Sequence, residues 1–237
     1  MTFFRRILLC ALISAPLLPA ADQLTGFPFQ TETLHYRVIW PGGKALGEVT
    51  MGARPTPGGG WDFDMSTNVG IPLVPIADKY QASATTFDLC SVTLNREISH
   101  GNKRVVERTK FDQKANQAMR QTVVPAGGGK TEMALPTCAR DALTYIYYGR
   151  REMGQGRVPP ASKVFFGSPY EVKTNYTGAM DVPVGGKTKT TDKLEVSVKG
   201  PASDFKVEVF YDRDAARTPL LIRIPVTIGT VSLELVR

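Results

Sequence analysis

Residues 33–40 read TLHYRVIW. Taken alternately, Leu34, Tyr36, Val38 and Trp40 share one side and His35 and Arg37 take the other, which is the period of a strand with one buried face. The PGG at 41–43 supplies a reversal and KALGEVTMGA at 44–53 brings the chain back, so these residues predict a β-hairpin. GWDFDMST at 60–67 repeats the alternation, with Trp61, Phe63 and Met65 inward and Asp62 and Asp64 outward. NREISH at 95–100, KRVVERTKFD at 103–112 and QAMRQTVV at 117–124 continue it as a meander.

The same period returns in KVFFGSPYEVKTNYTG at 163–178, DKLEVSVKG at 192–200, FKVEVFYD at 205–212 and the last run, LLIRIPVTIGTVSLELVR. Each run stops at Gly, Pro, Asn or Asp, giving about ten to twelve strands of ordinary length, too many for one open sheet that neither curls nor closes. The expected fold is all-β: a strongly curved antiparallel sheet closing into a barrel or half barrel.

One stretch breaks the pattern. In DALTYIYYGRRE, residues 141–152, the spacing predicts a helix over about 139–151. Ala139, Ala142, Leu143, Tyr145, Ile146 and Tyr147 form its apolar arc, while Asp141, Thr144 and Tyr148 fall opposite. Asp141 stands in the expected first turn and Arg150 and Arg151 in the last, where the helix dipole favours each charge, and Pro136 and Thr137 lead in. About 13 residues do not make a stable isolated helix, so the arc must lie against the curved sheet and fill its interior. Arg150 projects near the centre of that arc. Its stem either snorkels to the end of the sheet, or its guanidinium meets an acid or a ligand inside.

The first 21 residues, with Arg5 and Arg6 ahead of an apolar run from Ile7 to about Leu18 and small residues at Ala20 and Ala21, read as a signal peptide that is removed. The run is well short of the roughly 20 residues a spanning helix needs. Cys10 follows Leu9 and lies inside the run, so it reads as part of the leader rather than a lipidation site. Residues 22–237 are then one β-rich domain, expected in the periplasm or outside the cell. Two cysteines remain, Cys90 and Cys138, and in an oxidising compartment they are expected to pair, closing a loop nominally worth about 4 kcal/mol. Two small buried thiols that never meet are the alternative.

Basic residues number 29 against 22 acidic ones over the whole chain, a formal charge of +7. KRVVERTK and KTKTTDK spread this excess along strand faces, which reads as a solvated surface. The compartment argues against nucleic acid as a partner. Aromatic content of 9% and an end in LELVR fit poorly with a membrane-spanning barrel, which needs aromatic girdles and usually finishes on an aromatic residue.

Motifs for chemistry are sparse. AGGGKTE at 126–132 lacks the glycine a phosphate loop requires at position 124, where Val124 stands. YDRDAARTP at 211–219 has the opening of a calcium loop without its glycine or final glutamate. His35 and His100 are on separate strands, with no spacing that suggests zinc. No metal, cofactor or catalytic residue is assigned. Trp40, Tyr147 and Arg150 are the candidate ligand-binding residues, with packing into the core as the competing role for the tryptophans Trp40 and Trp61. Asp62 and Asp64 are the carboxylates an unrecognised hydrolase site would draw on.

FDQKANQAMR at 111–120, DALTYIYYGRRE at 141–152 and FYDRDAARTPLLIRIPVTIGTVSLEL at 210–235 resemble landmarks of the bacterial family called domain of unknown function 3108. The resemblance implies an exported β-rich protein, similar to the barrel-like fold of small lipoproteins associated with capsule export, with no activity established and no catalytic residues to carry over. Lipoprotein relatives begin at a lipidated cysteine, and this chain is expected not to. The expected function is a non-enzymatic binding or scaffold protein of the envelope, with a cleft for a lipid, glycolipid or polysaccharide. A carbohydrate-active or other hydrolase, and a module that recruits an envelope protein partner, are the alternatives.

Overall fold

The computed structural model describes residues 30–71, 74–201, 203–227 and 229–236; the leader expected over 1–21, with Cys10, lies outside them. The described residues hold one 15-stranded sheet and one helix. The first half is a meander of β1 (Glu32–Ile39), β2 (Ala45–Pro55), β3 (Trp61–Ile71), β4 (Val74–Ala84), β5 (Ser91–His100), β6 (Lys103–Asp112), β7 (Gln117–Val124) and β8 (Lys130–Ala134). A two-residue strand β9 (Arg140–Asp141) leads directly into α1 (Ala142–Gly154). A second meander follows: β10 (Ser162–Phe165), β11 (Pro169–Val184), β12 (Lys187–Gly200), β13 (Ser203–Tyr211), β14 (Pro219–Val226) and β15 (Gly229–Val236).

The two meanders join where first meets last: β1 pairs antiparallel with β15, from His35 opposite Val236 to Ile39 opposite Ser232. β9 adds to the far margin by pairing in parallel with β10. The margins are β8 and β9, and they are not hydrogen-bonded to each other, so the sheet is curled but not closed.

Curling follows from the burial pattern. Tyr36, Met51, Phe63 and Leu94 of the first meander share one buried cluster with Val164, Val172, Leu220 and Leu235 of the second. Residues spread across so many strands meet only if the sheet bends until its inner face surrounds them. The alternation in GWDFDMST is as expected, with Trp61 and Phe63 buried, Met65 packed on the core, and Asp62 and Asp64 turned outward. Each fully buried side chain of this size contributes about 1.5–3 kcal/mol.

Three expectations need revision. The strands outnumber the ten to twelve expected: β4 lies in none of the runs read as strands, short β8 and β9 carry no alternation to announce them, and the runs at 163–178 and at the end of the chain each take in two strands. The helix runs from Ala142 to Gly154 rather than from about 139 to 151. Asp141 is its N-cap, accepting from the amides of Leu143 at 2.9 Å and Thr144 at 3.0 Å, while Cys138, with φ of 53°, turns the preceding chain. A buried carboxylate satisfies two orphan donors there, which Pro136 and Thr137 could not do.

The third revision concerns the helix surface. Thr144 and Tyr148, expected on a polar side, are buried like the residues of the apolar arc. The Thr144 hydroxyl donates to Asp141 at 2.6 Å, and the guanidinium of Arg140 covers the Tyr148 ring at 3.7 Å. Alternation also misplaces Phe210. Its neighbours Val209 and Tyr211 pack against Met153 of α1, so Phe210 points out of the shell, yet it is fully buried by Val182 and Leu221. The long β11–β12 hairpin shifts register between Tyr176 and Gly178, and its outer part covers that ring.

Candidate functional site

The helix is fastened at both ends. At its start, the Ser91 hydroxyl donates to the Asp141 carboxylate at 2.5 Å and accepts from the Asp141 amide at 2.7 Å, and the Ser91 amide donates to the Ala139 carbonyl at 3.0 Å. The Gln113 side chain spans the same gap, donating to the carbonyls of Ser91 and Ala139 and accepting from the Ala139 amide. Cys90 and Cys138 are disulfide-bonded across it. Burial pushes the Asp141 carboxyl above its usual pKa, while the hydrogen bonds from Ser91, Thr144 and Leu143 pull the other way.

At its other end, Arg150 is fully buried. Of the two roles open to it, the structure shows the inward one. Its guanidinium forms a two-pronged pair with Glu32 of β1, and its Nε donates to the Ala216 carbonyl at 3.0 Å. Burial works against the charge, but the hydrogen bonds and field of Glu32 outweigh it and hold the guanidinium above its ordinary pKa. Tyr147 lies beside it, with Arg150 5.3 Å from its ring and the Phe63 ring stacked at 4.2 Å. Desolvation also raises the phenols of Tyr36 and Tyr147, and that of Tyr211 to about 12.

Trp40 is elsewhere. It follows the last residue of β1, half-buried in the β1–β2 turn, whereas Glu32 and hence Arg150 belong to the first residue of that strand. Eight residues of strand separate the two, on the order of 26 Å. The structure therefore brings Tyr147 and Arg150 together inside the shell and leaves Trp40 out of their neighbourhood. Nor does it form a facing acid pair: Asp62 is exposed, and Asp64 is paired with Arg54 at 2.8 Å. Among the described residues no three His, Cys, Asp or Glu side chains converge as metal ligands would, and no helix is long and apolar enough to cross a membrane.

Open space lies outside the packed interior, on the rim beside the last turn of α1. There a cleft of about 590 Å³ is bounded by Pro55 at the end of β2, Gly59 of the β2–β3 turn and Trp61 at the start of β3. The β4–β5 loop contributes Thr86 and Phe87, and the helix end contributes Arg151 and Gln155. Gly59, with φ of 81°, takes a left-handed conformation, and a Cβ there would approach Thr86 at 3.5 Å. Phe87 is 85% exposed, the most exposed large apolar side chain among the described residues.

The loop that presents Phe87 is held by its backbone. Arg151 donates to the Phe87 carbonyl and Arg140 to the Asp88 carbonyl, and the two guanidiniums lie over the Tyr148 ring at 5.2 and 3.7 Å. The disulfide anchors the loop's end at Cys90. The scaffold thus fixes the loop while leaving the aromatic side chain in solvent. Sequence reasoning passed over Phe87. Its signal was an aromatic residue amid the polar TTFD of 85–88, with no alternating partner to bury it.

The comparisons agree with this architecture. No curated protein matches the chain. Among solved structures, it is similar to a β-barrel-like protein of domain of unknown function DUF1849 from Brucella abortus, with 9% sequence identity and a TM-score of 0.61, covering 88% of this chain and 97% of that one. At that identity the likeness speaks for the fold alone. The model of the family described as protein of unknown function DUF3108 matches residues 34–236, which take in nearly all of the sheet and the whole of α1, and the chain belongs to that family.

Proposed function

We propose that this protein is a non-enzymatic binding protein of the bacterial cell envelope, exported by its leader, and that it holds an amphiphile in the rim cleft rather than inside the shell. The observation that carries this reading is Phe87, a large apolar ring kept in solvent at the mouth of a cleft floored by Trp61 and walled by Pro55. Leaving such a ring exposed forgoes about 1.5–3 kcal/mol of burial, and aromatic side chains beside a concave apolar wall are the ordinary makings of a ligand site. The interior, by contrast, holds the buried side chains of Tyr36, Phe63, Tyr147 and Arg150. Tyr147 and Arg150 accordingly serve as packing and as a strut, and the cleft replaces them as the ligand-binding element.

Titration with the apolar fluorophore N-phenyl-1-naphthylamine tests this. The whole protein should show saturable fluorescence enhancement at one site, and Phe87→Asp should abolish it without changing the circular dichroism spectrum, because the side chain makes no buried contact to lose. Equal enhancement in the two proteins, or none in either, would sink the proposal.

A further inference from the structure

We infer that the occupant of the rim cleft is an uncharged amphiphile whose head carries hydroxyl groups, as in a glycolipid, rather than an anionic or a cationic one. This rests on the reading of the cleft as a binding site and adds the class of ligand. The lining has a single ionisable side chain, Arg151. That guanidinium is already engaged: it donates to the Phe87 carbonyl, lies 3.8 Å from Glu152 and covers the Tyr148 ring. Glu152 is in turn paired with Arg157 at 2.7 and 3.0 Å. An entering carboxylate or phosphate would compete with the Phe87 carbonyl and Glu152 for that guanidinium.

The helix adds to the discrimination. Its carboxyl end faces the cleft, so the partial charge there is negative and disfavours an anion. No carboxylate lines the cleft to receive a cation. The polar side-chain groups left for a ligand are the Thr86 hydroxyl and the Gln155 amide nitrogen, both neutral, since the Gln155 oxygen accepts from Arg157. They suit hydroxyl and ring oxygens, while Pro55 and Phe87 receive an apolar chain or the flat face of a sugar.

Three single-chain amphiphiles with the same tail separate these outcomes: octyl glucoside, octanoate and octyltrimethylammonium, each below its micelle concentration, competing with bound naphthylamine on the full chain. The glucoside should displace the probe at a concentration about tenfold or more below either charged compound, since an ionised head gains no partner for the water it gives up. Thr86→Val should shrink that advantage by about fivefold, the worth of one neutral hydrogen bond, while leaving naphthylamine binding intact. Octanoate or the ammonium competing as well as the glucoside, or failure of all three against a probe that does bind, overturns this inference and leaves the binding reading standing. Failure of naphthylamine itself to bind overturns both.

Discussion

The curled sheet has two seams, and they are built from different materials. Where β1 meets β15, main-chain hydrogen bonds run from His35 opposite Val236 to Ile39 opposite Ser232, and the ion pair across it, Arg37 with Glu234, is solvated, at 53% and 30% exposure. Where β5 meets β9, one backbone bond joins Ser91 to Ala139, and the rest is a disulfide, the Ser91 hydroxyl, the Asp141 carboxylate and the Gln113 amide. A ladder needs only strands of compatible pattern. A seam made by side chains needs particular residues, so single substitutions should tell the two apart. The helix spans both, tied through Asp141 to the second seam and through Arg150 to Glu32 beside the first.

The largest effect is expected at the strut. Glu32→Ala leaves a buried guanidinium uncompensated and should cost about 3–5 kcal/mol in urea unfolding, whereas the double change Glu32→Met with Arg150→Met should recover most of it. A double variant as unstable as the single one would show that the pair does not act as a unit.

Replacing Cys90 and Cys138 together by Ala should cost about 2–4 kcal/mol, as their separation of 48 residues implies. Hydrogen exchange should then speed up at Ser91 and in the first turn of α1 and stay unchanged along β1 and β15. Acceleration at both seams alike would mean that the two are not independent.

Alkaline pH probes the helix from below. Tyr211, packed against Met153, has a folded pKa raised by burial from 10.0 to about 12, so its contribution is whole below pH 10 and lost as pH rises toward 12. That displacement amounts to roughly 2–3 kcal/mol. Phenolate absorbance and near-ultraviolet circular dichroism should therefore change together across this window; phenolate forming before any loss of structure would show that the tyrosines are reachable by solvent.

Smaller effects complete the contrast. Ser91→Ala strips two hydrogen bonds from buried Asp141 and should cost about 1–3 kcal/mol. Arg37→Ala, at the other seam, should cost less than about 0.5 kcal/mol. A result in the reverse order would remove the distinction between the seams.

Much of the shell could be read directly. Tyr36, Val38, Trp61 and Phe63 lie inward where alternation places them, because a pleated strand half-buried in any sheet must sort its side chains this way. Phe210 defeats the same rule. It points outward but is covered by a hairpin from elsewhere in the sheet, and no local pattern encodes a distant cover. Tyr148 fails similarly, covered by the guanidiniums of Arg140 and Arg151 as well as by its core neighbours. For the site, the sequence pointed to Arg150 as anomalous without naming Glu32, and it marked Phe87 only as an aromatic residue in a polar loop.

By itself, then, the chain's two-residue period determined a many-stranded curved sheet, one helix against it and a cysteine pair able to bridge, since periodicity and composition are local properties that any compact fold must honour. Only the tertiary structure decided that the first and last strands pair, that β9 is sewn to β5 by side chains, that Arg150 is spent on Glu32, and that the open apolar surface falls at the rim beside Phe87. Those outcomes depend on which residues distant in sequence come within a few ångströms once the sheet has curled. That curvature is a property of all fifteen strands at once.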